Sequence, residues 1–356
     1  MHPSIRLIAL VLATTCALAI GDRPAIASPS LPTSGGDPTL AREVTELVGP
    51  GHPVVAAAVI DGTDVRVTAA GADINDRFEI GSISKTATGL LFAEGISRGE
   101  VQPDTTVGSL LPVLRGSPAE RITLSDLATH RSGLPVQPPT ADQYVRNQLA
   151  QLTGSFPYRE STANRLAQVR DYPLDAPPGT YSNVGYEVLG AALAAAASTD
   201  FDALVRERIL QPLGMVGSDV LVNAEQITPR DLRGKDTTGR TVEPWIGESM
   251  APASGVRANI TDMATYASAL LAGTAPGMDA LVPRADLGAS RIGWAWISTT
   301  TDDGREITWH DGQTSGFASY IGIDRRNGVA TVLLTATGDT VVPLGEKLLA
   351  QAVSDR

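Results

Sequence analysis

The sequence predicts an α+β fold. One antiparallel sheet is built from the N- and C-terminal parts of the chain and flanked by helices, with a mostly helical insertion between them. Two observations carry this expectation. Strand patterns gather near the start and again beyond residue 290, and the stretch from about 86 to 281 reads as helical segments separated by Pro and Gly. A third is that the chain closes on a helical pattern, with Leu344, Leu348, Leu349 and Val353 on one side.

The first residues read as an export signal. Residues 1–6 carry one positive charge, residues 7–20 are apolar and uncharged, and Ala25-Ile26-Ala27 is a small-x-small tripeptide. Residues 1–27 are therefore expected to be cleaved and the mature protein to be secreted or otherwise extracytoplasmic, without stable membrane insertion. A retained anchor is the alternative, although the apolar run is shorter than the ~20 residues a spanning helix needs. The only cysteine, Cys16, falls within the removed segment. Residues 28–37, rich in Ser, Pro and Gly, read as a flexible lead-in. Residues 38–356 then form one domain, with its mostly helical part at about 100–285.

Each element has its own signal. Residues 38–48 show helical spacing through Leu40, Val44, Leu47 and Val48. Residues 54–60 are a continuous apolar run that meets Asp61-Gly62 and then the alternating Val65 and Val67, which predicts a hairpin. Helical segments follow at 90–96, 124–129, 186–197 and 263–271. Strands are expected at 292–298, 306–309, 317–323 and 329–335, divided by turns such as Asp302-Asp303-Gly304 and Arg326-Asn327-Gly328. The last helix spans 342–353.

Composition removes some functions. The whole chain carries a net charge of −11, and loss of Arg6, Asp22 and Arg23 makes the mature protein one unit more acidic. Such a surface is unsuited to nucleic acid, whose binding needs phosphates neutralised by basic groups. Lysine is confined to Lys85, Lys235 and Lys347, so each one attracts attention.

Three groups of residues carry chemistry. In Gly81-Ser82-Ile83-Ser84-Lys85, a helix beginning near Ser82 places the Ser82 hydroxyl and the Lys85 amine on one side. The helix N-terminus favours an oxyanion and a lowered lysine pKa, and serine beside an amine is an activated nucleophile. Read alone, these residues also make a helix cap with a solvated lysine. In Pro177-Pro178-Gly179-Thr180-Tyr181-Ser182-Asn183, Tyr181 can act as a base if cations depress its pKa, and the Asn183 amide can hold a substrate carbonyl. The plainer account is a turn whose tyrosine packs and whose asparagine caps the next helix. In Trp309-His310-Asp311-Gly312-Gln313, strand alternation turns His310 and Gly312 the same way, and glycine there lets a substrate lie against the strand. A surface histidine on a turn fits the same residues.

In this order, Ser82-x-x-Lys85, Tyr181-x-Asn183 and His310-x-Gly312 resemble the three signatures of the β-lactamase and penicillin-binding-protein family of serine hydrolases, which includes class C β-lactamases, D,D-peptidases and esterases. Segments 122–135, 211–215 and 253–264 add to the likeness, which runs from about residue 38 to the C-terminus. The resemblance implies a β-lactamase/transpeptidase-like fold and a two-step acyl transfer. Ser82 attacks a carbonyl, Lys85 and Tyr181 handle the proton, and an acyl-enzyme forms and is hydrolysed. It also implies an oxyanion hole from the backbone N–H groups of Ser82 and Gln313, with Asn183 holding the substrate's amide or ester side. His310 then stands where many relatives carry a lysine, and Gly312 keeps the strand open. His130, inside segment 122–135, reads as structural. The implied partner is a small-molecule or peptide substrate, with no metal and no organic cofactor. A β-lactam or a D-Ala-terminated peptide is the leading substrate class and a carboxylic ester the next. A sensor acylated without turnover is the non-enzymatic alternative.

One departure bears on substrate. Typical class C β-lactamases have Lys-Thr-Gly as their third signature, with the threonine hydroxyl helping to bind a substrate carboxylate. Asp311 offers no hydroxyl and, ionised and facing the cleft, repels that group. Two rival enzyme classes fail: no Gly-x-Ser-x-Gly pentapeptide occurs, and His52, His130 and His310 are too dispersed for a zinc site.

Overall fold

A computed structural model describes residues 33–355; the expected export segment, 1–27, lies outside the described residues. Twelve strands and eleven α-helices are placed. The strands are β1 (Thr33–Gly36), β2 (Val55–Asp61), β3 (Asp64–Ala70), β4 (Phe78–Glu79), β5 (Asp219–Val220), β6 (Val256–Ala258), β7 (Ala285–Leu287), β8 (Ser290–Ile292), β9 (Ile297–Thr300), β10 (Glu306–Gln313), β11 (Ala318–Asp324) and β12 (Val329–Thr335). The helices are α1 (Pro38–Val48), α2 (Ser84–Ser97), α3 (Val107–Leu110), α4 (Leu124–Ala128), α5 (Ala141–Thr153), α6 (Thr162–Val169), α7 (Asn183–Ala197), α8 (Phe201–Val205), α9 (Ala251–Ser254), α10 (Ile260–Ala272) and α11 (Val342–Ser354).

Nine strands form one sheet in the order β1-β3-β2-β12-β11-β10-β9-β8-β7, and every pairing in it is antiparallel. The predicted α+β architecture is what the chain adopts: the ends supply the sheet and the middle is largely helical. β2 and β12 are buried along almost their whole length because helices cover both faces of the sheet, and strands covered on both sides read as unbroken apolar runs. Alternation then divides the side chains between two cores. Val332 and Leu334 of β12 face the core shared with α2, α7 and α10, whereas Val329 and Leu333 face the one beneath α1 and α11.

Two features differ from the sequence pattern. Thr33–Gly36, inside the segment read as a lead-in, pair with β3 as an edge strand. The apolar run expected as one strand at 292–298 is instead a hairpin. β8 ends at Ile292, a turn spans 293–296, and β9 begins at Ile297. The two tryptophans that gave the run its strand-like appearance are core anchors of the turn. Trp294 meets Phe92 at a ring separation of 4.9 Å and Trp296 meets Tyr266 at 6.3 Å. α10 lies within the span assigned to the helical part but packs against β2, β3 and β12.

A second, three-stranded sheet in the order β4-β6-β5 ties the segment before Ser82 to the middle of the chain. Glu79 of β4 pairs with Arg257 of β6, both almost wholly buried. Glu79 also accepts the backbone N–H of Trp245 at 2.7 Å. Burial raises the Glu79 pKa, with the Arg257 charge opposing.

Candidate active site

The turn carrying Ser82 is set by backbone contacts on both sides. Ile80 N–H donates to Val256 at 3.2 Å, and the Ile80 carbonyl accepts the Ser319 hydroxyl at 2.8 Å. Gly81 has φ 51°, a left-handed conformation that glycine adopts without penalty. The chain then makes a single 3₁₀ turn, Gly81–Ile83, and runs into α2. Ser82 and Lys85 therefore stand one turn apart at a helix start, as the spacing predicts.

Lys85 is completely buried. Its Nζ lies 3.0 Å from Ser82 Oγ, 2.7 Å from Asn183 Oδ1 and 2.9 Å from the Ala253 carbonyl. Amide oxygens only accept hydrogen bonds, so two of the three positions on nitrogen must hold protons. Of the three partners, only the Ser82 hydroxyl has a proton to give. Burial brings the Lys85 pKa down to about 7, with Asp311 and then Glu187 opposing. Near neutrality the amine thus presents a lone pair to Ser82 in a large fraction of molecules.

Tyr181 hydrogen-bonds Ser82, and its ring centre lies 4.8 Å from Lys85 Nζ. Burial pushes its pKa well above the ordinary value, the Ser82 hydrogen bond opposes this, and the charge of Asp311 adds to it. The tyrosinate allowed for by the sequence is therefore not what the surroundings favour; Tyr181 is a neutral phenol. Asn183 is the first residue of α7, whose cap is Ser182, accepting Gly185 N–H at 2.9 Å. With Oδ1 engaged by Lys85, its NH₂ is left to donate.

His310 and Gly312 share one face of β10. His310 is buried, and its Nδ1 is 2.6 Å from the Asp311 carbonyl. A carbonyl cannot donate, so Nδ1 carries the proton and Nε2 is a bare acceptor without a partner among the described residues. Burial, and then the Lys85 charge, push the imidazole down to about 3, keeping it neutral. Gly312 is needed for close approach, since a Cβ there would lie 2.0 Å from the Ile80 carbonyl oxygen. The strand carrying Gln313 is thus pressed against the turn carrying Ser82. A Cβ on Gly81 would fall 2.6 Å from the Gln313 nitrogen. The Gln313 side chain is turned away, donating to the Gly338 carbonyl. All seven residues singled out from the sequence (Ser82, Lys85, Tyr181, Asn183, His310, Gly312 and Gln313) meet where α2, α7 and β10 converge.

The Beta-lactamase family model matches residues 40–354. The chain belongs to the Beta-lactamase family. Among its relatives, a Beta-lactamase from Pseudomonas fluorescens is 26% identical over 196 residues, covering 54% of this chain and 50% of that protein. In that comparison the chain spans about half of the relative's length. Penicillin-binding protein 4 from Amycolatopsis lactamdurans is 25% identical over 314 residues, or 81% and 78% of the two chains. The crystal structure of a Beta-Lactamase/D-Alanine Carboxypeptidase from Pseudomonas syringae superposes with a TM-score of 0.74 at 19% identity, covering 89% and 97%. That likeness establishes the fold.

Within this family fold the site includes groups that the sequence did not reveal. Ala253 acts through its backbone carbonyl, which no residue type advertises. His130, expected to be structural, has a definite task. Its φ of 56° is left-handed, its carbonyl accepts Gly179 N–H at 2.9 Å, and its Nδ1 accepts Ser182 N–H at 3.1 Å. Its ring packs 4.4 Å from that of Tyr181. Burial and the nearby Lys85 and His310 hold the imidazole neutral, with its pKa well below the usual value. His130 thus clamps the Tyr181 loop from beneath. His130→Ala orphans a buried N–H and removes the stacked ring, so unfolding stability should fall by about 2 kcal/mol. His130→Asn, which tolerates the left-handed backbone and keeps an acceptor, should recover part of it; urea unfolding of the two variants checks this. A cavity of about 590 Å³ opens beside Gln313, walled by Tyr158, Trp245, Thr314 and Ser315. Its two aromatic residues come from separate segments, neither of which carries a motif.

Proposed function

We propose that the protein is a serine hydrolase that cleaves an amide or ester bond through an acyl-enzyme on Ser82. The observation that carries this reading is the Lys85 amine, with two positions held by carbonyl oxygens and the third directed at Ser82 Oγ. As a substrate carbonyl arrives, the Ser82 proton moves to the Lys85 lone pair and Oγ bonds to the carbonyl carbon. The oxygen takes up negative charge at the Ser82 and Gln313 N–H groups. Collapse breaks the bond to the leaving atom, which receives its proton through the Tyr181 hydroxyl while Lys85 reprotonates the phenol oxygen. Water then releases the acyl group by the reverse relay. Asn183 NH₂ and the edge of β10 position the substrate. A β-lactamase-related or D-alanyl-D-alanine carboxypeptidase-like enzyme is supported by relatives named Beta-lactamase and Putative D-alanyl-D-alanine carboxypeptidase, and a carboxylic ester hydrolase is the second reading, favoured by the lack of a hydroxyl at Asp311. Residues 1–27 support export of the enzyme from the cytoplasm.

The test is a covalent map. The protein is incubated separately with a fluorescent penicillin, a D-Ala-D-Ala peptide and a short-chain p-nitrophenyl ester, quenched in acid and digested. At least one acyl adduct is expected on the peptide containing Ser82. Adducts confined to other residues, or none with any of the three, overturn the reading. Product release beyond one equivalent separates a hydrolase from a sensor that stays acylated.

A further inference from the structure

Gln313, whose N–H is one of the two proposed oxyanion donors, is the last residue of β10. β9 pairs with β10 only as far as Trp309, so among the described residues no strand flanks that edge from His310 to Gln313. On the other edge β11 pairs with the strand up to Gln313 and Ala318. The turn 314–317 then follows, closed by Thr314 N–H donating to the Phe317 carbonyl at 2.9 Å. Trp245 reaches this turn from a segment that is neither helix nor strand. Its indole N–H donates to Ser315 Oγ at 3.2 Å. Its backbone N–H donates at 2.7 Å to Glu79, which stands two residues before Gly81 and is paired with the buried Arg257. One residue therefore grips both sides of the oxyanion hole, the Ser82 turn through its main chain and the end of β10 through its ring. The ring is itself packed, with the centres of Phe156 and Tyr158 5.8 Å and 5.4 Å away. Only Thr314 separates Ser315 from Gln313, so movement of the turn is passed to the Gln313 N–H. Such spacing matters, because a misplacement of about 1 Å costs about 10²-fold in rate.

We infer that Trp245 is a positioning residue for acyl transfer, whose indole N–H, bonded to Ser315, fixes the Gln313 donor relative to the Ser82 donor. The inference rests on Ser82 being the acylated nucleophile. It gives Trp245 a task apart from walling the cavity beside Gln313, and one that does not depend on what fills that cavity.

The test compares acylation by p-nitrophenyl acetate with acylation by its thionoester, in which sulfur replaces the carbonyl oxygen. The methyl acyl group has no side chain to place in the cavity. Sulfur is larger than oxygen and a weaker acceptor, so the thionoester draws little from the two donors. Both esters need Ser82 and Lys85, which makes the thionoester a control for folding and for the base. Trp245→Phe keeps a ring and the backbone N–H and removes the indole N–H, whereas Ser315→Ala removes its acceptor. Loss of a whole donor costs about 10²–10³ in rate, so loosening one should slow the oxygen ester about tenfold in each variant and leave the thionoester within about twofold. The double variant should be no slower than either single one, because both substitutions cut the same bond. An unchanged oxygen-to-sulfur rate ratio in the variants overturns the inference, as does a double variant whose losses multiply. Ser315→Ala, which takes one oxygen from a turn, decides the matter even if Trp245→Phe does not fold. Absence of a Ser82 adduct with this ester and with the penicillin and peptide probes overturns the acyl-serine reading itself, a different result from an adduct whose oxygen preference ignores Trp245.

Discussion

Lys85→Ala lowers the rate of Ser82 acylation by about 10²–10⁴-fold, the range expected when a positioned general base is lost. The argument lies in the three contacts of Nζ. Two carbonyl oxygens orient the amine, and burial brings its pKa to about 7. An ammonium has no lone pair, so acylation by the unmodified enzyme should fall about tenfold per pH unit below that value and level off above it. In Lys85→Ala that limb disappears. Lys85→Arg should not restore it, because a guanidinium stays protonated throughout. Tyr181→Phe makes the contrast. Its phenol is neutral over the same range, so that variant should be slower yet keep the limb near pH 7. Stopped-flow acylation between pH 5 and pH 9 reads both, and a Tyr181→Phe profile that loses the limb would move the base from Lys85 to the tyrosine.

Much of the fold was legible because its signals are local. Asp61-Gly62 between two apolar runs specifies the β2–β3 hairpin without reference to any other residue, and the alternation within β12 needs only that helices lie on both faces. The site residues were legible for a similar reason: Ser82 and Lys85 are one helical turn apart, and His310 and Gly312 are one strand period apart. What stayed hidden depends on tertiary surroundings. The run at 292–298 has strand-like composition, but Trp294 and Trp296 find better burial as anchors of a turn between α2 and α10. The state of Tyr181 turns on how far burial outweighs the Ser82 hydrogen bond, a balance that no motif reports. Ala253 contributes an atom common to every residue. His130 could be noticed in its segment, but its left-handed backbone and its hold on Ser182 appear only when the loop is folded.

Gly312→Ala should be almost as damaging as loss of the base, for a reason of space alone. A β-carbon there would sit 2.0 Å from the Ile80 oxygen and 2.5 Å from Ser319 Oγ. Those two atoms are hydrogen-bonded to each other at 2.8 Å, so neither can yield without breaking the contact that seats the Ser82 turn on the sheet. The strand must move instead, taking the Gln313 N–H with it. Displacement of one oxyanion donor costs about 10²–10³ in rate, and overpacking costs about 1–3 kcal/mol of stability. Lys85 keeps its three contacts, since none comes from β10. The low-pH limb should therefore remain near pH 7 while the whole profile drops. This pattern separates a displaced oxyanion hole from a disabled base. Acylation by Gly312→Ala within a few-fold of the unmodified rate would show that β10 gives the transition state no support, and the oxyanion would then have to be held by the α2 N-terminus alone.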